Sequence, residues 1–252
     1  TGGPPRRRPT ARAGAGGASN PKAAAPWVGT RADAGNRQTG RVAIAREWAA
    51  QDPSAAAGYF TPFLSEPAPP GSTTSPGLDL ATVLADIWGT TNPAGAAEWI
   101  GKLPAGPARE QAAGTLATVW AASDMEGAVA WSNTIADASI RAAAVDHIAT
   151  TWGAIEPDKA IAWLDTQPPD LAANGYRGAW NSWAATDPAG LQEWIGSMNP
   201  GDQADLARRS LGDVMMASDP AGALDLAFGI TNEGRQSDAI TRYYRQFSRL
   251  DE

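Results

Sequence analysis

His147 is the single histidine of the chain, and it stands beside Asp146. An imidazole next to a carboxylate suggests proton transfer, but adjacent residues of a helix point to different faces, so the two are not expected to act as a couple. The absence of cysteine excludes disulfides, thiolate nucleophiles and Cys-based zinc sites. One histidine also makes a transition-metal site unexpected, and scattered carboxylates would attract calcium or magnesium only weakly. The glycines at Gly14, Gly16 and Gly17 precede no strand pattern and fit neither phosphate-loop motif. Glycoside hydrolysis needs two convergent carboxyl groups. Glu110, Asp146, Asp165 and Asp170 are acids of the required type, but nothing in their spacing selects a pair. No catalytic residue, metal site or cofactor is therefore expected.

The elements that carry these residues follow one period. With Trp88 as position zero, an Asx-Pro pair, Asn92 and Pro93, falls at plus four and five. A small residue, Ala96, stands at plus eight and a second tryptophan, Trp99, at plus eleven. Trp120, Trp152 and Trp183 open further units at spacings of 32, 32 and 31, with second tryptophans at Trp131, Trp163 and Trp194. Trp48 opens the first unit, where Tyr59 takes the second aromatic position, and Met215 opens a sixth, where Leu226 does so. The Asx position reads Asp52, Asn92, Asp124, Glu156, Asp187 and Asp219, and the next residue is Pro except at Met125.

A period of about 32 residues is the signature of units that cannot bury their apolar faces alone and must stack. Asp before Pro is a helix start: the carboxylate caps free amides, and Pro suits the first helical position because its missing N–H is not needed there. Ala96, Trp99, Ile100 and Leu103 then form one helical stripe, repeated as Leu191, Trp194, Ile195 and Met198. Gly and Pro end that helix and open a second, which carries Leu116 and Val119 to the next Trp. Nine of the eleven tryptophans hold these repeat positions, which assigns them to the core rather than to a ligand platform. Trp180 lies outside the register but three residues before Trp183 on the same helix, so it too is expected inside. The fold class expected is all-α: an α-solenoid of about six helix-turn-helix repeats plus an N-terminal half repeat from Arg37 to Trp48. The period leaves the hand of its curvature open.

Residues 1–36 differ from the rest. Their Gly, Pro, Ala and Arg composition cannot bury enough surface to fold alone, which predicts a basic extended arm ahead of an acidic helical repeat domain over 37–252. Residues 1–46 hold nine Lys or Arg against one acid, which leaves residues 47–252 with a net charge of −15. Arg6, Arg7, Arg8, Arg12 and Arg31, with Trp27 as a lone aromatic anchor, are the partner-binding candidates, suited to an acidic protein face or lipid headgroups. The acidic body would repel phosphate, so nucleic acid is not an expected partner. The interval from Trp48 to Trp88 is 40 residues long, and its excess, 65–78, is rich in Pro, Ser, Thr and Gly and is expected to be a non-helical loop. The last unit keeps Ile240, Tyr243, Tyr244 and Phe247, residues suited to capping the array or to docking. No apolar run is long enough to span a membrane. Because the chain opens with Thr rather than Met, we expect upstream sequence in which a signal peptide or anchor can lie.

The segments WAATDPAGLQEWI, WGTTNPAGAAEWI and WGAIEPDKAIAWL resemble a class of uncharacterised bacterial helical-repeat proteins in which Trp and Asp-Pro recur about every thirty residues. The architecture is also similar to that of tetratricopeptide solenoids. The resemblance implies an α-solenoid of the cell envelope, periplasmic or membrane-associated, with the cytoplasm as the alternative, and it implies no reaction. The function expected is a non-enzymatic scaffold or accessory subunit docking protein partners of a larger, membrane-associated assembly. The alternative is an envelope polysaccharide hydrolase that uses acids in a cleft.

Overall fold

The computed structural model describes residues 20–30, 34–66 and 75–247. Among these the chain is all-α, with fourteen α-helices, one short 3-10 helix and no strand. The first unit of the chain carries α1 (Pro21–Gly29), α2 (Ala34–Gln51), α3 (Pro53–Phe60), the 3-10 helix Thr61–Ser65, α4 (Pro76–Thr91) and α5 (Pro93–Lys102). Next come α6 (Pro107–Ser123), α7 (Met125–Thr134), α8 (Ala138–Gly153), α9 (Pro157–Leu164) and α10 (Pro169–Thr186). The last are α11 (Pro188–Ser197), α12 (Asp202–Met215), α13 (Pro220–Phe228) and α14 (Glu233–Phe247). Two compact units divide the chain, 1–112 and 113–252, with the division inside α6.

That division differs from the arm-and-body boundary expected near residue 36. Residues 21–29, expected to be extended, are helical: the Asn20 side chain accepts the Ala23 N–H at 3.1 Å, and Pro21 follows at the first helical position. The small side chains of the segment let α1 lie against α2, with Val28 filling the notch at Gly40, where a Cβ would meet Val28 Cγ1 at 2.8 Å. The loop expected over 65–78 is also shorter than its composition suggested. Residue 65 closes the 3-10 helix, and α4 already begins at Pro76. Gly77 permits this, because a Cβ there would stand 2.0 Å from the Leu64 carbonyl oxygen.

At two of the six junctions from a long helix to a short one residues 154–156 and 216–219 intervene, and at the other four the junction is a single residue, the Asx position of the repeat. Its N–H continues the preceding helix by donating to the carbonyl of position zero, as in Asn92 to Trp88 at 2.8 Å, Asp124 to Trp120 at 2.7 Å and Asp187 to Trp183 at 2.8 Å. Its side chain caps the next helix, accepting from the N–H three residues on: Ala55, Gly95, Gly127, Gly190 and Gly222 donate at 2.9–3.0 Å. Asp124 caps α7 although Met125 follows it, so the carboxylate rather than the Pro sets the junction. The opposite turn of the unit uses backbone that favours glycine, at Gly106 (φ +144°) and Gly201 (φ +153°).

The expected stripe faces inward in its first copy. In its second copy only Leu191 and Ile195 are buried, Met198 is half-buried and Trp194 is exposed. Trp88, Trp120, Trp131, Trp152 and Trp163 are half-buried rather than core. In the first unit of the chain Ala96, Trp99, Ile100 and Leu103 are buried, beside an aromatic group in which Trp48 packs on Tyr59 and Phe60. In the second, α8 and α10 approach closely through small residues: a Cβ at Gly153 would lie 2.6 Å from Ala179 Cα, and one at Gly175 would lie 3.2 Å from Ala149 Cβ. Close backbones leave little volume between helices, and large rings at the margins fill what remains. Trp180 is fully buried and stacks on Trp183 at 5.8 Å, which in turn meets Trp194 at 5.4 Å.

Candidate functional site

The tryptophans expected in the core pair within each repeat. Ring centroids lie 6.0 Å apart for Trp88 and Trp99, 5.7 Å for Trp120 and Trp131, and 5.9 Å for Trp152 and Trp163. The position-zero indole also folds back over the cap. A Cβ at Gly127 would stand 2.2 Å from Asp124 Oδ2 and 2.7 Å from Trp120 Nε1, and one at Gly95 would stand 3.1 Å from Trp88 Nε1. Glycine at plus seven thus leaves room for carboxylate and indole together. This residue went unnoticed among the small residues of the repeat, although Gly95, Gly127, Gly190 and Gly222 all stand three after the cap. Unit four departs as a set: Glu156 makes no side-chain cap and instead accepts from Trp152 Nε1 at 3.3 Å and from Lys159 Nζ at 2.5 Å, and Lys159 holds the glycine position.

His147 is held as a structural group. Its ring lies over Gly114 of α6, where a Cβ would come within 2.6 Å, and Nδ1 stands 3.1 Å from Thr118 Oγ1. The Thr118 hydroxyl donates to the Gly114 carbonyl at 3.0 Å, so it accepts from Nδ1–H. Asp146 points instead to α10, where its Oδ1 lies 3.2 Å from the place of a Cβ on Gly178. The two neighbours in sequence therefore serve different helices.

Of the four unassigned acids, Asp165 reaches a groove. Asp165, Gln167, Tyr176, Asp202, Gln203 and Arg235 line a space of about 520 Å³ among α9, α10 and α12. Tyr176 donates to Asp165 at 2.5 Å. Burial, and then the Asp165 carboxylate, push its phenol well above the usual range, which keeps it a neutral donor. Arg235 Nη1 donates to Asp202 at 2.7 Å, Trp180 Nε1 donates to Gln203 Oε1 at 3.2 Å, and Gln167 Oε1 is buried without a hydrogen-bond partner. The groove offers acceptors to hydroxyl or amide donors. Asp170 begins α10 outside its lining, and Glu110 belongs to the other unit.

Asp205 of α12 is a buried carboxylate, 1% exposed, that sequence inspection did not single out. It accepts from the Thr231 and Asn232 amides at 2.8 and 3.0 Å and from the Thr231 hydroxyl at 2.9 Å, which holds the turn before α14. Burial pushes this carboxyl up, but those donors and Arg208 outweigh it and hold the group below the usual carboxylate range. Its role is the docking of α14.

Among the partner-binding candidates, Trp27 lies on α1 and is 49% exposed. Arg6, Arg7, Arg8, Arg12 and Arg31 lie outside the described residues. A second charged surface, unforeseen from the sequence, lies at the other end of the chain. Arg209 of α12 faces Arg242 and Arg245 of α14 across an open groove of about 800 Å³. Helical spacing could have found it, since Asp238, Thr241, Arg242 and Arg245 recur at three, four and seven residues. Among the described residues no group of three or more His, Cys, Asp or Glu is placed to hold a metal ion, and no helix is long and apolar enough to cross a membrane.

The chain matches no known family model, no curated protein and no solved structure.

Proposed function

We propose that this all-helical chain is a non-enzymatic scaffold or accessory subunit, built as an α-solenoid of about six helix-turn-helix repeats plus a half repeat. In this reading it docks to a larger, membrane-associated assembly of the bacterial envelope through its helical surface and its basic arm. The observation that carries the reading is the recurrence of one junction, a capped Asx with paired aromatic rings, in successive units. A repeated local solution of this kind extends surface rather than building one reactive centre. Five of its six repeat-position Asp, Asn or Glu side chains cap helices, and its histidine packs against a glycine. The arm supplies a second attachment, which raises the effective concentration of a partner already engaged elsewhere. Crosslinking with mass spectrometry on native extract, comparing the full chain with one lacking residues 1–36, tests the reading. Defined partners that crosslink to the arm and are lost on its deletion are the expected result. A protein that stays alone in both forms overturns it.

The groove at Asp165 and Asp202 supports a second reading, an envelope polysaccharide hydrolase, because a sugar would find acceptors there for its hydroxyls. Release of reducing ends from wall polysaccharide by the purified chain, lost in Asp165→Asn and Asp202→Asn, would replace the scaffold reading with this one.

A further inference from the structure

We infer that the groove among α9, α10 and α12 takes up a lysine side chain from a basic segment of a protein partner. The inference rests on the scaffold reading and names a place where the docking occurs. It begins from charge. Residues 113–252 hold nine Lys or Arg against 19 acids, so a cationic segment is drawn toward this unit from a distance. The groove adds a local reason. Arg235 is the cation of its lining, and it is already given to Asp202 at 2.7 Å, so those two charges cancel. Lys159 of α9 is likewise held by Glu156. Asp165 keeps its charge. Its Oδ1 accepts from the Tyr176 hydroxyl, which burial keeps neutral, and among the described residues no Lys or Arg pairs with this carboxylate.

The acceptors left over decide which cation fits. Asp165 Oδ2 takes no hydrogen bond among the described residues, and Gln167, also in the lining, has its Oε1 buried without a partner. An ammonium carries three donors and no acceptor, so it answers unfilled oxygens and brings no acceptor of its own that needs a donor. A sugar hydroxyl also accepts, and the Tyr176 hydroxyl and the Arg235 Nη1 donor are engaged with the two aspartates. A guanidinium matches both oxygens of one carboxylate, and Tyr176 already occupies one of them, so the compact charge of lysine is the better match. Leu164, Ala172, Ala173 and Leu206 give the lining an apolar part along which the four-carbon stem can lie. Gln203 accepts from Trp180 at Oε1, which leaves its amide N–H groups for a carbonyl of the partner's backbone. A space of about 520 Å³ is of the size that encloses a small ligand, and it holds such a side chain with part of its main chain.

A fluorescein-labelled peptide of alternating Lys and Ser, titrated into the full chain by fluorescence polarisation, tests the assignment. Binding should weaken with added salt and fall about tenfold or more in Asp165→Asn, since the charge that selects the ammonium is removed. Asp225→Asn takes the same charge from the same unit outside the groove and should change affinity by less than about twofold, because a distant exposed charge is screened. Ala173→Trp, which fills the groove and leaves its charges in place, should abolish binding. The peptide with every lysine acetylated should not bind, and circular dichroism verifies that each variant is folded. No binding by the wild type overturns the assignment, as does binding that survives Asp165→Asn or Ala173→Trp. Equal losses in Asp165→Asn and Asp225→Asn also overturn it, since the field of the unit rather than the groove would then hold the peptide. So does Asp165-dependent displacement of the peptide by chitotetraose, which would make the groove a sugar site. The scaffold reading fails separately: if crosslinking in extract recovers the same partners from wild type and Asp165→Asn, the scaffold stands and the groove is not its docking place. If neither form has a partner, the scaffold reading falls, and the peptide titration alone judges the groove.

Discussion

Asp124 and Glu156 occupy the same position in successive repeats, 32 residues apart, and use their carboxylates in different ways. Asp124 turns its side chain onto the backbone and caps α7 at Gly127. Glu156, longer by one methylene, makes no such cap and reaches the Trp152 indole and Lys159 instead. The bare Cβ position at Gly127 and the side chain at Lys159 belong to these two solutions. Where indole and cap share the space, there is no room for a side chain. Where the carboxylate has swung away, a lysine fills the gap and binds it. Ala55 marks the limit of the first solution: a methyl at that place coexists with the Asp52 cap, whose Ala55 N–H bond measures 3.0 Å. Cap, glycine and tryptophan thus form one device, in which a change at one position is accommodated at the others.

The largest way to break this comparison is to remove the ring that both junctions share. Trp120→Ala takes out one ring of a stacked pair and Trp152→Ala one ring of a tilted pair, and each should cost about 3 kcal/mol in denaturant unfolding, the usual scale for a large ring lost from packed surroundings. The two should differ in coupling. A double-mutant cycle of Trp152→Ala with Glu156→Ala should show the larger interaction, because the indole N–H donates to that carboxylate, and the cycle of Trp120 with Asp124, which share the space at Gly127, a smaller one. Equal coupling at both places would show that the two junctions do not differ in solution.

Removing the carboxylate is the next test. Asp124→Ala should lower stability by about 1 kcal/mol through the lost cap. Glu156→Ala should leave the unfolding midpoint nearly unchanged, since its ion pair with Lys159 is exposed and its bond from the half-buried Trp152 indole is long, at 3.3 Å. A loss at Glu156 equal to that at Asp124 would contradict the assignment of a cap to one and an ion pair to the other.

Acid gives the smallest and most specific test. The Lys159 ammonium and then the Trp152 indole hold Glu156 below its ordinary value. A carboxylate whose folded value is lowered contributes fully above its unfolded range and loses that contribution as pH falls through the lowered value. The melting midpoints of wild type and Glu156→Gln should therefore differ slightly at neutral pH and converge in acid. A difference that persists at low pH would assign the effect to side-chain shape instead.

The buried arginine-poor core and the arginine-rich groove divide what could be read from the chain alone. Periodicity identified five of the six caps and the stripe of Ala96, Trp99, Ile100 and Leu103, but it placed Trp194 inside, where the structure leaves that ring exposed. Trp180 was assigned inside by its spacing from Trp183, and it is fully buried. The same local logic misjudged residues 21–29, whose composition argued against structure. A Pro at the first position, an Asn cap and the bare surface at Gly40 allow a short helix to lie on a neighbour that the segment's own sequence does not contain. Reading 65–78 as loop failed at its end for a related reason, since Gly77 serves the close approach of Leu64.

The amino-acid sequence by itself determined the helices, their junctions and the apolar face of each, because capping and helical spacing are short-range and recur at a fixed interval. Tertiary structure alone decided that Asp205 is buried by the turn before α14, that Tyr176 and Asp165 meet in a groove, and that Arg209 faces Arg242 and Arg245. The reason is distance along the chain. Arg209 and Arg242 stand 33 residues apart, about one repeat, and only the packing of one helix against the next sets which of their faces meet.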